Sequence, residues 1–242
     1  MAAAPTLTLH PELHELRACN LHFAKGKTWD FETENQQTIA DHWQRETAKN
    51  PNMWNGRQVK LVDYGFENGI LTGECVETSF AAYLTWRDLG APDKKAGNLF
   101  GSALLRSRDG ALLFGVMADT TANAGKIYPP GGNLDLSDIR DDGTIDMDRS
   151  TYRELEEETG LTRQDVVPRE RFIVFDGVRI SATILMDVAI DADQLRQQIL
   201  DFSFASEEQE IADIRILRSY ADLKDPMLVP YAKKLAKHIL PS

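Results

Sequence analysis

Arg153-Glu154-Leu155-Glu156-Glu157-Glu158-Thr159-Gly160-Leu161 decides how this chain is read. Four glutamates crowd one helical turn before a glycine stops it. Glu154, Glu157 and Glu158 stand at i, i+3 and i+4, so their carboxylates project from one helix face. Three negative charges held together destabilise a helix unless a cation neutralises them. An all-oxygen cluster suits a hard divalent ion, Mg²⁺ or Mn²⁺ in its place. Leu155 and Tyr152 point to another face and can bury against a sheet. Gly160 fits the left-handed position just past a helix end. The plainer alternative is a solvated acidic helix, the commoner fate of a glutamate run.

Upstream lies Tyr128-Pro129-Pro130-Gly131-Gly132, a rigid turn whose glycines permit close backbone approach. Together the two segments resemble the signature of the Nudix hydrolases, G-x5-E-x7-R-E-U-x-E-E-x-G-U with U apolar. Arg153, Glu154, Leu155, Glu157, Glu158, Gly160 and Leu161 fill every defined position of its second half. The resemblance implies the Nudix fold and hydrolysis of a pyrophosphate bond with Mg²⁺, for which Mn²⁺ can substitute. It assigns metal binding to Glu154, Glu157 and Glu158, and an orienting role to Arg153. A motif of this kind is a hypothesis that structural context must confirm.

The first half of the signature departs from the pattern. Twenty residues separate Gly132 from Arg153, seven more than the family's thirteen. An acidic insertion within residues 133–145, carrying Asp135, Asp138, Asp141 and Asp142, fits that excess. Counted back from Arg153, the family's first glutamate falls at Ile145, which can neither bind metal nor pair with an arginine. Asp146, Asp148 or Asp142 are the candidate substitutes. Asp146 also reads as the N-cap of the glutamate helix, and Asp148 as a charge favoured at its positive end.

The remaining sequence frames a soluble enzyme. The chain has 242 residues and a formal charge of −11, which argues against a general nucleic-acid-binding surface. An anionic small molecule is not excluded, because a metal and a few arginines can invert the local field. Cys19 and Cys75 are too few for a disulfide framework or a zinc site, which makes a reduced cytoplasmic setting the expectation. The start Met1-Ala2-Ala3-Ala4-Pro5 reads as no signal peptide, and no apolar stretch approaches the roughly 20 residues of a membrane span. The five histidines have no ligand spacing.

Residues 88–97 form a loop by composition and divide the chain into an N-terminal α+β extension, 1–95, and a Nudix domain, 96–242. In the extension we expect a strand over 16–24, a helix over 34–49, a hairpin turning at Asn68-Gly69 and a helix capped by Ser79. Its pattern Asn50-Pro51, Trp54-Asn55-Gly56, Lys60-Leu61 resembles the N-terminal extension of larger Nudix proteins that cleave UDP-sugars. In the second part strands 99–106 and 111–117 pair across Asp109-Gly110, and a short strand 126–128 leads into the glycine turn. The glutamate helix, 146–159, comes next. Strands 171–175 and 179–190, a helix capped by Asp191, a strand 211–217 and a closing helix 226–240 complete an α/β/α sandwich with a mixed sheet.

Glu208, in the acidic stretch Ser206–Glu210 before the last strand, is the candidate general base, with a plain acidic loop as the alternative. Arg106, Lys126, Tyr128, Gly131 and Gly132 are the candidate substrate-binding residues, and Arg108 and Arg179 also qualify as phosphate contacts. The leading substrate is a nucleoside diphosphate sugar such as UDP-glucose; ADP-ribose, dinucleoside polyphosphates and nucleoside triphosphates are alternatives. So is a Nudix-fold module that senses a nucleotide without cleaving it. Nudix enzymes with such extensions often dimerise through them, and Trp43, Trp54 and Trp86 fit a homodimer surface or an ordinary core equally.

Overall fold

The computed structural model describes residues 12–206 and 209–241. The N-terminal part carries β1 (Glu12–Glu15), β2 (Ala18–Phe23), α1 (Asp30–Glu34), α2 (Gln36–Lys49), β3 (Arg57–Glu67), β4 (Ile70–Ser79) and α3 (Phe80–Asp88). Strands β2, β4 and β3 make a three-stranded sheet in that order, with β2 parallel to β4. Asn68 and Gly69 both take positive φ, 52° and 79°, the mirror-image turn that matches hairpin twist. Ser79 accepts a hydrogen bond from Ala82 N and caps α3 as expected. The carbonyls of Asn55 (side chain) and Gly56 (backbone) accept from Ala81 N and Phe80 N, so the Trp54-Asn55-Gly56 turn seats the same helix end.

The larger part follows as β5 (Asn98–Arg106), β6 (Leu112–Met117), β7 (Ile127–Tyr128), a 3₁₀ turn Leu136–Asp138 and α4 (Met147–Thr159). Then come β8 (Val166–Asp176), β9 (Arg179–Val188), α5 (Ala192–Ala205), β10 (Ile211–Leu217), a 3₁₀ turn Tyr220–Lys224 and α6 (Pro230–Ile239). The main sheet runs β1-β8-β9-β5-β6-β10, with β7 paired to β6. Only β5 and β9 are parallel within it. Helices α4 and α5 bury Leu155, Leu195 and Ile199 on one face, against Leu113 and Ile184. Helix α6 buries Tyr231, Ala232 and Leu235 on the other, against Leu104, Phe114 and Val174. This is an α/β/α sandwich with a mixed sheet, as the sequence predicts.

One local expectation, the Asp191 cap, is corrected, and two further placements bear on the layout. Strand β1, from the N-terminal part, belongs to the main sheet, where it pairs with β8. Asp191 makes no cap hydrogen bond; Arg108 engages it, and Asp109 caps α5 by accepting from Ala192 N at 2.9 Å. Trp86 is fully buried and Trp43 packs against the same N-terminal cluster, which leaves only Trp54 of the three outside a core. No described helix is long and apolar enough to cross a membrane.

Strand β5 positions the site. It pairs with β9 along its whole length but with β6 only at Leu105 and Arg106. The vacated edge receives the Pro129–Asn133 loop: Ala103 N donates to Pro130 O at 2.8 Å, and Phe100 bridges Asn133.

Candidate functional site

Gly131 and Gly132 are needed for close approach. A Cβ on Gly131 would overlap the carbonyl oxygen of Gly101, and one on Gly132 would overlap the Glu154 carboxylate. Helix α4 crosses β5 over Gly101, where a Cβ would meet Thr151 Oγ1 at 2.5 Å. Asp146 caps the helix by accepting from Arg149 N, and Gly160 ends it at φ 71°. The glycine loop is thereby clamped between β5 and the glutamate face of α4.

Glu154 and Glu158, one turn apart, are buried against this loop, and Gly131 N donates to Glu158 Oε2 at 3.2 Å. Glu157 lies beside them with its side chain half exposed. Burial pushes the Glu154 carboxyl up to about 7, with repulsion from Glu157 and Glu210 added and Arg153 opposing. Burial, then Glu154 and Glu210, hold Glu158 well above the usual carboxylate range. The only cation bonded to the cluster among the described residues is Arg153. It donates to Glu154 at 2.6 Å and to Glu157 at 3.0 Å.

Arg153 has a third carboxylate partner that the sequence reading misplaced. Its Nη2 lies 3.2 Å from Oδ2 of Asp138, a fully buried residue. Asp138 stands six positions after Gly132, where the signature's first half has its acid. The additional residues therefore lie between Asp138 and Arg153, not before them. They loop out: Ile139 and Ile145 bridge at the stem, Asp142 caps the tip and Gly143 turns it at φ 82°. Ile145 is buried core. The three substitutes considered for the acid are engaged elsewhere, Asp146 as N-cap, Asp148 with Arg171 and Asp142 with Thr144. Counting forward from Gly132 as well as back from Arg153 finds Asp138.

A cavity of about 980 Å³ opens on the Gly131–Gly132 turn. Lys126, Tyr128, Gly131 and Gly132 line it. Arg106 does not. It sits at the other end of β5, eight residues or about 26 Å from Asn98, and is held by Asp187 at 2.7 Å. Arg179 of β9, another arginine considered for phosphate, lines it too, and the cavity adds Tyr83 and Arg87 of α3 and Tyr231 and Lys233 of α6. Four cations and no Asp or Glu line it among the described residues, in a chain of charge −11. A second cleft of about 500 Å³, with Arg57 and Arg140 in its wall, contains none of the signature residues.

Glu208 lies outside the described residues. Glu210, two residues on, acts electrostatically on Glu154, Glu158 and Tyr128. Among the described residues no three His, Cys, Asp or Glu side chains converge as a ready metal cage. The donor chemistry nevertheless fits a hard divalent ion: Glu154, Glu157 and Glu158 present carboxylate oxygens from one helix, two of the three side chains buried. Cys75 is fully buried, and that burial pushes its thiol up to about 12.

No protein-family profile matches the chain, and no curated protein matches it. Solved structures overlay on rather more than half of it. A Nudix hydrolase from M. smegmatis, RenU, is 17% identical over 59% of this chain and 86% of that one, with a TM-score of 0.40. The MutT protein from Methanosarcina mazei Go1 is 19% identical over 58% and 91%, at 0.38. The Nudix domain of Shewanella oneidensis NrtR, crystallised with ADP ribose, is 16% identical over 66% and 96%, at 0.39.

Proposed function

We propose that this chain is a Nudix-type pyrophosphohydrolase of the cytoplasm that cleaves a nucleoside diphosphate linked to another moiety. A nucleoside diphosphate sugar such as UDP-glucose is the leading substrate, and ADP-ribose is an equal alternative. The observation that carries the reading is the packing of the glycine turn on Glu154 and Glu158 beside a cavity lined by four cations and, among the described residues, no Asp or Glu. Glu154, Glu157 and Glu158 would hold Mg²⁺, or Mn²⁺ in its place. The bound ion would supply charge neutralisation at the phosphates and acidify water.

The chain's own groups do the rest. Gly131 N fixes Glu158, and Gly132 leaves room for the Glu154 carboxylate. Asp138 and Arg153 hold the α4 face against the loop, so the carboxylates stay aimed without substrate. Lys126 at the cavity wall meets the phosphates, and Tyr128 backs the glycine turn. A carboxylate of the 207–210 segment, Glu208 or Glu210, takes the proton from the attacking water.

A panel of UDP-glucose, ADP-ribose, diadenosine tetraphosphate and nucleoside triphosphates, each with Mg²⁺ and phosphatase coupling, tests the reading. Turnover of one or more members is expected, and none would refute hydrolysis. A nucleotide sensor is the second reading, favoured by the ion pairs through which Arg153 occupies Glu154 and Glu157. It would bind a panel member tightly by calorimetry and return it unchanged.

A further inference from the structure

The cavity is polar in an ordered way. At one end the glycine turn covers the glutamates. Gly131 packs on Gly101 and Ser102, three to four residues along β5 from Asn98. Asn98 is the register partner of Arg179 on β9. At about 3.3 Å per residue, Arg179 therefore lies roughly 10–13 Å along the sheet from the turn. Arg87 lines the same cavity from the last turn of α3, where it hydrogen-bonds the Tyr83 hydroxyl, and the Arg179 charge acts on that hydroxyl too. Tyr231, packed 5.3 Å from Phe100 and 6.4 Å from Tyr128, forms the floor between the two ends.

We propose that Arg87 and Arg179 form an anion subsite in this cavity that binds a phosphoryl group of the nucleotide ligand independently of any metal. Each guanidinium meets a carboxylate of its own segment through Nε, Arg87 with Asp88 at 2.7 Å and Arg179 with Asp176 at 3.9 Å. The terminal nitrogens are the donors whose fork matches two phosphate oxygens. A wall that holds Lys126 and Lys233, and no Asp or Glu among the described residues, focuses a positive field onto the same space. The subsite also explains why the N-terminal part abuts the cavity: without α3 one of its two arginines is missing. Metal-independent phosphoryl binding then resides in Arg87 and Arg179, and cleavage in the glutamate helix.

This inference rests on the cavity being the nucleotide site, but its test uses neither metal nor turnover. With divalent ions chelated, the full chain is titrated calorimetrically with AMP and UMP, each against its own nucleoside. The monophosphates are expected to bind about tenfold or more tighter than the nucleosides, because charge-assisted bonds carry the difference. Arg179→Gln and Arg87→Gln should each lower monophosphate affinity about tenfold and leave nucleoside affinity unchanged. Arg179→Lys should recover part of it, and the exposed Lys237→Gln should change nothing. Thermal melts confirm that each variant is folded. Equal binding of monophosphate and nucleoside, no binding of either monophosphate, or wild-type affinity in both glutamine variants would overturn the subsite. Loss of turnover on the substrate panel with this binding pattern intact would instead count against the hydrolase reading.

Discussion

Oδ2 of Asp138 accepts a hydrogen bond from the Arg153 guanidinium at 3.2 Å, across a loop of sequence that the Ile139–Ile145 bridge closes. The same oxygen accepts from Asp135 N at 2.9 Å, so the 3₁₀ turn and the α4 helix are tied at one atom. Arg153 in turn reaches Glu154, Glu157 and the Asn133 carbonyl. Burial works against its charge, and Glu154, Asp138 and Asp135 more than offset that. One arginine thus joins the glycine loop, the acid and the glutamate helix.

Removing Asp138 should therefore loosen the whole site. Asp138→Ala leaves Arg153 partly buried with one partner fewer and opens a void where the acid was. We expect a loss of about 2–4 kcal/mol in urea denaturation, in line with breaking a buried pair. Any turnover should fall with it. An unchanged midpoint and rate would show that the pairing is incidental.

Gly132→Ala tests the clamp from the other side. The added methyl would overlap the Glu154 carboxylate, so either the carboxylate or the loop must move. Glu154 is the freer of the two, because the loop is bonded to β5 through Pro130. The expected outcome is a drop of about 100-fold in kcat/KM, the scale of a misplaced catalytic group, with a modest loss in melting temperature. Wild-type turnover in this variant would remove Glu154 from the machinery.

The layered architecture was legible because periodicity and turn chemistry are local. Asn68-Gly69, Ser79, Asp146 and Gly160 each act within a few residues, and each does what its type suggests. What was missed depends on distant partners. The position of Asp191 suggests a cap, but Arg108 captures it and Asp109 takes over that role from across 83 residues. Strand β1 is too short and polar to announce itself and is defined by its pairing with β8. Arg106 and Arg179 look alike in sequence. The parallel register of β5 and β9 sends them to opposite ends of the sheet. The cavity is built from β5, β7, β9, α3 and α6, and no local pattern joins those segments.

Ile145→Glu, which would restore a glutamate at the position counted back from Arg153, should not restore anything. Ile145 packs with Leu21, Leu61 and Leu134 in the core. A carboxylate there would replace close apolar packing with a largely buried charge, and the loss should exceed about 3 kcal/mol. Chemical denaturation measures it. A variant as stable as the parent, with raised activity, would mean that the loop can change register.

Glu157→Gln and Glu158→Gln separate charge from fold. Glu157 is half exposed and contributes one i,i+4 pair to Arg153, so its loss should change stability by only a few tenths of a kcal/mol. Glu158 is buried and held toward its neutral form, so an uncharged amide should leave stability equal or higher. Both should cut Mg²⁺-dependent turnover by orders of magnitude, as removal of a metal ligand does. Rates within a factor of about three of wild type in either variant would strike that residue from the proposed ligands, a margin well inside one ligand's usual effect.

Lys60 offers a test independent of the site. It is 2% exposed, its Nζ has no hydrogen-bond partner, and it sits 3.4 Å from the Trp86 ring centre and 4.8 Å from that of Trp29. Burial drives its ammonium well below the ordinary lysine range, with Asp93 opposing weakly. The folded state therefore releases this proton at a lower pH than the unfolded chain. Between those two values the unfolded chain binds more protons, so stability rises with pH across that window. Below it the penalty of the buried charge is constant and fully felt. Lys60→Met keeps the length and removes the charge, at the loss of the aromatic contacts with the cation. We expect a net gain on the order of 1 kcal/mol near neutral pH and a flatter stability profile toward alkaline pH. Equilibrium unfolding of both proteins at a series of pH values measures this. A variant less stable than the parent at neutral pH would show that the rings stabilise the ammonium more than burial opposes it.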